Sequence, residues 1–463
     1  MMQLPTIILK ISSYLKSKNA KAIVVGGSVR DYFLNLEIKD YDIEVYGLES
    51  IEELESILKR FGKVNLVGKS FGVLKFVYQG QEYDFSLPRL ERKNGVGHRA
   101  FEVTCDGGLS FTEASKRRDF TINAMGYDIE EKLFLDPFEG MIDLKQKRLK
   151  HINDDTFIED SLRIYRAVQF CARFRYSLDK ATFNLCKMMI EQGAIEDLPK
   201  ERIYQEWVKL LLKSTKPSIG FELMRELGIL RYFPELQSLI GVVQSIEYHP
   251  EGDVWIHTMM AIDKMVELKI GDDMLDLKLM FAVLCHDFGK PKFTQINKYG
   301  KITAIGHELG GVEPTRNFLY RLSNNHDFIN SILPLIEFHL APSSFYRSNA
   351  SKSAIRRLST KVNISHLVIV AKADFLGRTT PESQQGIYKA GEWISTIAKE
   401  LDIIDKAPIP LLLGRDLISL GLKPSKEFKT LLAQVYDKQL EGDITTKDEA
   451  MSYVQRLLSD IDI

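Results

Sequence analysis

Cysteine is scarce in this chain of 463 residues: there are four, at Cys105, Cys171, Cys186 and Cys285, far apart and without a CxxC pair. Neither a disulfide scaffold nor a structural zinc site is suggested by that pattern. Long apolar runs are also missing, so no segment reads as a helix spanning a bilayer, and no membrane partner is expected. An excess of one charge is absent too, with 62 Lys and Arg against 63 Asp and Glu for a formal net charge of −1. That balance neither demands nor excludes a nucleic-acid partner, because local patches matter more than the sum. The opening MMQLPTIILKISSYLKSKN carries lysines within and after its apolar positions and lacks the cleavage site of a secretory signal. A cytoplasmic protein is the expectation. No internal repeat and no low-complexity tail interrupts the sequence, and the length allows two or three domains.

What is present changes character along the chain. Leu4 to Leu15 has apolar residues at helical spacing, and AIVVGG from Ala22 reads as a short buried strand ending in a glycine turn. YDIEVYG from Tyr41 alternates like a strand, and SIEELESILKRFG from Ser50 begins with a serine cap followed by acidic residues, which predicts a helix. VNLVGKSFGVLKFVYQGQEYDFSL reads as strands separated by glycine turns, and TINAMGYDI and LFLDP as two more short strands. After about Phe157 the pattern becomes helical, as in DSLRIYRAVQFCARF and RIYQEWVKLLL. A mixed α/β head, a helical middle and a helical C-terminal body follow.

The stretch GGSVRDYFLNLEIKDYDIEVYG, from Gly26 to Gly47, carries the first chemistry. Side chains two apart on a strand point to one side, so Asp40 and Asp42 are expected to project together. Two like charges held close are costly unless a cation neutralises them, and magnesium, which takes oxygen ligands and keeps substrate phosphates, suits the pair. Asp84, in EYDFSL, is a candidate third carboxylate from the neighbouring strand. Gly26 and Gly27 permit close approach of backbone amides to a phosphate, Arg30 is placed to contact one, and Asp31 to brace the turn or the arginine. Together these parts suit phosphoryl transfer from a nucleoside triphosphate across two metal ions. A DxD alone is weak, since solvated acids need no partner; the GGSVRD preface strengthens it.

GGSVRD followed by DYD resembles the head of the class II nucleotidyltransferases, the bacterial CCA-adding enzymes and their poly(A) polymerase relatives. Four later motifs agree: RRDFTINAMGYD from Arg117, DPFEGMIDLKQKRL from Asp136, EDSLRIYRAVQFCARF from Glu159 and ERIYQEWVKLL from Glu201. Glu139 stands where the family often has glycine, which leaves the local turn in question, and Ser161 stands where proline is common. The resemblance implies a polymerase-beta-like mixed sheet in the head, followed by an all-helical neck and body. It implies that Asp40 and Asp42 bind two Mg2+ ions with Asp84 assisting, and that Arg117, Arg118, Asp119 and Asn123 hold the incoming triphosphate and ribose. Guanidinium groups match phosphate oxygens in number and geometry.

Asp160 and Arg163 lie three apart on a predicted helix and so share a face. An aspartate accepts hydrogen bonds and an arginine only donates. Cytosine and adenine both offer an amino donor beside a ring acceptor, whereas uracil and guanine present the opposite order. One such pair therefore admits CTP and ATP and refuses UTP and GTP, a use for which the family is known; the plainer reading is a surface ion pair. Arg166 and Arg202 are candidates to support the pair or the triphosphate. Between Asp84 and Arg117 lies a stretch with Gly95, Gly97, Gly107 and Gly108 that reads as a movable loop. The resemblance associates such a loop with the switch from C to A addition.

A second constellation comprises His257 in DVWIHTMM, His286-Asp287 in LCHDFGKP and Asp374 in VAKADFLGR. It resembles the metal set of the HD phosphohydrolases, with His307 and His339 placed to extend it. Imidazole and carboxylate donors suit Mg2+, Mn2+ or Ni2+. The expected organisation is a nucleotidyltransferase head at 1–150, a base-reading neck at 151–215, an HD domain at 216–380 and a helical body at 381–463. The expected activity is addition of CCA to tRNA from CTP and ATP, with HD-type phosphoester hydrolysis beside it. Poly(A) polymerase and partial, CC-only or A-only, addition are the near alternatives; an HD hydrolase with a subsidiary head, or a non-catalytic RNA-binding protein, are the distant ones.

Overall fold

The computed structural model describes residues 2–65, 72–93, 101–424 and 426–459. The chain divides into two compact units, Met1–Ile229 and Leu230–Ile463. The first contains nine strands in two sheets that matter here: β1 (Lys21–Val25), β2 (Asp42–Tyr46), β3 (Lys63–Asn65), β4 (Val73–Tyr78), β5 (Gln81–Ser86), β6 (Arg89–Lys93), β7 (Phe101–Cys105), β8 (Gly126–Asp128) and β9 (Leu133–Leu135). Seven of them form one mixed sheet in the order β3-β4-β5-β2-β1-β8-β9. The β2–β5 pair is parallel and the other neighbours are antiparallel. KAIVV of β1 is buried at all but its first residue, as a central strand requires. The helix Thr6–Lys16 turns Ile8, Ile11 and Leu15 inward, and Ser50 caps the helix Ile51–Leu58 by accepting from Glu53 N–H.

Three local expectations are corrected. TINAMGYDI is not one strand: Thr121–Asn123 is a 3-10 turn, and β8 begins at Gly126. The turn is imposed by side chains, since Asp119 accepts the N–H of Phe120 and the amide of Asn123 while the Thr121 hydroxyl donates to Asp143. The expected loop between Asp84 and Arg117 contains an antiparallel hairpin, β6 with β7, and a short helix Phe111–Ser115 held by a Ser110–Glu113 capping box; Gly95 and Gly97 lie outside the described residues. The helix after EDS begins at Leu162, so Asp160 precedes it.

Glu139 adopts φ 60°, the left-handed region that favours glycine, which accounts physically for the position's glycine preference. Ser161 has φ −64°, the value proline imposes. Helices Leu162–Phe174, Lys180–Glu191, Lys200–Lys213 and Pro217–Leu227 pack together, with the fully buried rings of Trp207 and Phe221 edge to face at 5.6 Å.

The second unit is helical apart from a short two-stranded hairpin. Its helix Asp273–Cys285 is buried at every position from Leu279 to Cys285, so it runs through the core as a helix apolar on all sides must. His286 and Asp287 follow directly at its C-terminal end and are buried with it. A separate small core, built on Leu417, Val435 and Val454, holds the last helices. No helix among the described residues is long and apolar enough to cross a membrane. The three cysteines whose side chains are described, Cys171, Cys186 and Cys285, are buried thiols.

Candidate functional site

In the first unit β1 ends at Gly26, whose φ of 68° turns the chain into the helix Gly27–Phe33. A Cβ on Gly26 would lie 2.8 Å from the Arg118 guanidinium, which would have to shift, and the positive φ itself favours glycine. Gly26 and Gly27 line a cleft of about 600 Å³ shared with Asp42, Arg30, Arg117, Arg118, Asp119, Asn123, Asp160, Arg163, Arg166 and Arg202. A cleft of this size suits a nucleotide.

Asp42 opens β2 and is the register partner of Asp84 in parallel β5, while Asp40 stands two residues before the strand with its carbonyl accepting from Ser28 Oγ. Burial pushes the Asp42 carboxyl above its ordinary value; Arg118 opposes the shift, and Asp84, Asp40 and Glu44 add to it. Asp84 Oδ1 is buried without a hydrogen-bond partner, although Lys75 Nζ lies 3.5 Å away. Carboxylates sharing an uncompensated site fit a divalent cation. Their oxygens are less closely gathered than a finished metal cage, because the donor trios within 4.8 Å of one another among the described residues all lie in the second unit.

Six arginines of the cleft are held by identifiable partners. Arg30 is buried, donates to Asp31 at 2.7 Å and to Asn123 Oδ1 at 2.6 Å, and stacks 4.8 Å from the Phe174 ring. Asp31 thus braces the arginine. Arg118 pairs with Glu44 at 2.6 Å and Arg117 with Glu159 at 2.7 Å. Asp119 accepts from Asn123 Nδ2 at 2.9 Å and from Arg166 Nε at 2.7 Å. Burial raises its carboxyl, but Arg166 and the donated hydrogen bonds outweigh burial and hold it below the usual range. Asp119 and Asn123 therefore form one network that fixes Arg30 and Arg166. Arg163 donates to the carbonyls of Thr156 and Arg117 at 2.6 and 2.7 Å, and Asp160 pairs with Arg202 at 3.0 Å. Both base-reading candidates are held by partners outside the helix face that the spacing predicts.

The second unit brings its histidines together. His257, His286 and Asp374 form one donor trio, and Asp287, His307 and His339 a second, all six buried. His257 Nε2 lies 3.1 Å from Asp374 Oδ1, His286 Nε2 3.1 Å from Asp287 Oδ2, and His307 Nε2 3.3 Å from Asp287 Oδ1. The ion-pair distances are short, yet both Asp287 oxygens and the Nε2 atoms of His286, His307 and His339 are buried without hydrogen-bond partners of correct geometry. Orphaned nitrogen and oxygen donors facing one another are the chemistry of a divalent-metal site. Burial, with His286 and His307 nearby, lowers the His339 imidazole to about 3, which keeps the ring neutral, the form a metal ligand requires. Lys290 sits 2.7 Å from Asp287, and Arg378 makes a bidentate pair with Asp374 at 2.8 Å. A second cleft, of about 590 Å³, opens over these groups.

Several partners escape the sequence reading. Glu44 and Arg378 had usable spacing, two from Asp42 on a strand and four from Asp374 on a helix. Glu159 and Glu251 carry no such mark, because they meet Arg117 and His257 only through the fold.

Two family models match the chain: the poly A polymerase head domain over residues 22–150, and the probable RNA and SrmB-binding site of polymerase A over 175–240. The multifunctional CCA protein of Mannheimia succiniciproducens is 34% identical over 77% of this chain and 84% of its own length. That of Laribacter hongkongensis is also 34% identical, over 80% and 87%. In fold, the chain resembles the Bacillus stearothermophilus CCA-adding enzyme in complex with CTP, at TM-score 0.68 and 20% identity over 100% of this chain and 99% of that one. It also resembles the Thermotoga maritima CCA-adding enzyme complexed with tRNA, at TM-score 0.60 and 21% identity over 98% and 95%. With a poly(A)-polymerase-type head and a third of the aligned residues identical to these relatives along most of their length, the chain belongs to the multifunctional CCA protein family of nucleotidyltransferases.

Proposed function

We propose that this protein adds CCA to the 3′ end of tRNA without a nucleic-acid template, using CTP and ATP and releasing pyrophosphate. The observation that carries this reading is one cleft that gathers Asp42, a set of braced arginines and the Asp160–Arg163 pair. Family membership supports the same activity and weighs against poly(A) synthesis. Work on tRNA fits a cytoplasmic protein.

Within that reading Asp40 and Asp42, with Asp84 beside them, would hold two Mg2+ ions. Ions bound there supply positive charge at the reacting phosphorus and order the attacking and leaving oxygens. Arg117 and Arg118 face the triphosphate, their orientation set by Glu159 and Glu44. Arg30 and Arg166, fixed through Asn123 and Asp119, add charge and border the ribose. Asp160 accepts the amino N–H of cytosine or adenine, and Arg163 donates to the adjoining ring nitrogen. Arg202 holds Asp160 in place. The corresponding functional division is a head at 1–150, a neck at 151–215, an HD region at 216–380 and a body at 381–463.

Replacing Asp160 by alanine tests the base-reading role. Loss of one bidentate edge contact is expected to weaken discrimination by ~1–3 kcal/mol, borrowing the scale of base-edge readout. The measurement is kcat/KM for CTP against UTP and for ATP against GTP. A variant that still rejects UTP and GTP as firmly as the parent contradicts the assignment.

The buried donor cluster favours a second activity, metal-dependent hydrolysis of a phosphomonoester or a 2′,3′-cyclic phosphodiester. His257, His286, Asp287 and Asp374, with His307 and His339, would be the ligands for Mg2+, Mn2+ or Ni2+. A divalent ion in this place supplies Lewis acidity toward the phosphoester. Lys290 and Arg378 offset the charge of Asp287 and Asp374 at the floor of the cleft.

A further inference from the structure

We propose that Glu251 is the positioning residue of the second-unit metal site, holding the proton of His257 on Nδ1 so that Nε2 is left as the metal-facing nitrogen. This rests on the metal-binding reading of that cluster. It starts from a difference among the four clustered histidines. His286, His307 and His339 each place Nδ1 at 2.6–2.7 Å from the backbone carbonyl three residues earlier, those of Val283, Ala304 and Ile336. A carbonyl only accepts, so Nδ1 carries the proton and the neutral ring has its lone pair on Nε2. Those three Nε2 atoms are the buried ones without hydrogen-bond partners.

His257 lacks that backbone arrangement. The carbonyl three residues before it, Val254 O, accepts from Thr258 Oγ1 at 2.7 Å. Instead Glu251 Oε1 lies 2.8 Å from His257 Nδ1, with both side chains buried. The same oxygen is 2.9 Å from His249 Nδ1, and Oε2 accepts from Thr379 N–H at 3.2 Å. Thr379 follows Arg378, which grips Asp374. One carboxylate therefore ties His257 to the turn that ends the Asp374 helix, and these two residues are 3.1 Å apart at the cluster. A carboxylate on the far nitrogen orients a ligating imidazole and raises its basicity, and losing such a partner typically weakens metal binding ~10–100-fold. The three backbone carbonyls cannot be deleted by substitution; Glu251 can.

Glu251→Gln and Glu251→Ala, made in the full chain, separate positioning from simple bracing. Glutamine keeps the length and one acceptor oxygen but not the charge. Each protein is titrated with Ni2+, which imidazole donors favour over an all-oxygen set, in competition with a fluorescent chelator. Thermal melting without metal and CCA addition serve as parallel readouts. The expected result is Ni2+ affinity lower by about 10–100-fold in Glu251→Ala and by a smaller factor in Glu251→Gln. The glutamine variant should melt like the parent, and both should retain nucleotide addition. Parental affinity in the folded glutamine and alanine variants overturns the role of Glu251 alone. Collapse of the glutamine variant's melting temperature also counts against positioning and for a structural strut. A parent that binds no Ni2+ overturns the metal-site reading itself, and this inference with it.

Discussion

Asp42→Ala is expected to lower nucleotide addition by at least about a thousandfold, roughly 4 kcal/mol of lost transition-state stabilisation. The reason is geometric and electrostatic. Asp42 lines the cleft, is the register partner of Asp84, and is a head carboxylate that burial holds above its ordinary value. On the proposed reading, without it the triphosphate would meet arginines but no pair of acids to hold its metal ions. Asp42→Asn distinguishes lost chemistry from lost folding. With a folded pKa above the unfolded one, the ionised carboxylate stabilises the unfolded state more than the native one. Stability from this group is therefore lost as pH rises from the unfolded value through the folded one. At neutral pH in EDTA, Asp42→Asn should melt no lower than the parent, and any advantage should shrink on acidification as the parental carboxyl protonates. Near-parental addition by Asp42→Ala or Asp40→Ala contradicts the head assignment.

Replacing His286 and Asp287 together by alanine should abolish divalent-metal-dependent hydrolysis of 2′,3′-cyclic AMP while CCA addition persists. Asp287 contributes to the Asp287–His307–His339 trio and His286 to the His257–His286–Asp374 trio, so the double change damages both. All of these residues lie in the unit Leu230–Ile463, whereas the cleft lined by Asp42 and the arginines lies in Met1–Ile229. One complication has a predictable size. Removing Asp287 leaves buried Lys290 without the carboxylate now 2.7 Å from it, and an unpaired buried charge costs ~3–5 kcal/mol. Asp287→Asn, which keeps the volume, is the companion variant and should lose hydrolysis with a smaller drop in melting temperature. Hydrolysis retained by the double variant places the activity elsewhere.

The elements of the head were readable because each had a local cause. β1 is a continuous apolar run ending at a glycine, and the helix Ile51–Leu58 carries its serine cap. TINAMGYDI reads as a strand but begins as a turn, because Asp119 and Asp143, each outside that segment, curl its start through side-chain hydrogen bonds. Asp160 reads as helical because the apolar spacing of the following residues extends back to it, yet the helix starts at Leu162. In the candidate sites, residues bearing the chemistry stand in motifs, and so do partners such as Glu44, Glu159, Arg202 and Arg378, but nothing in the motifs marks which residue pairs with which. Asp160 meets Arg202 and Arg117 meets Glu159 across 42 positions of chain each, and His257 meets Asp374 across 117. Such pairings depend on packing, which no short window contains.

The central claim is tested most directly by giving the purified protein three tRNAs, ending before the first C, after C and after CC, each with one nucleoside triphosphate at a time. CTP should extend the first two and ATP only the third, with a single adenosine added, and UTP and GTP should be refused on all three. Repeated addition of adenosine whatever the tRNA end, or failure to incorporate CTP, would contradict CCA synthesis and favour a poly(A)-type or A-adding enzyme.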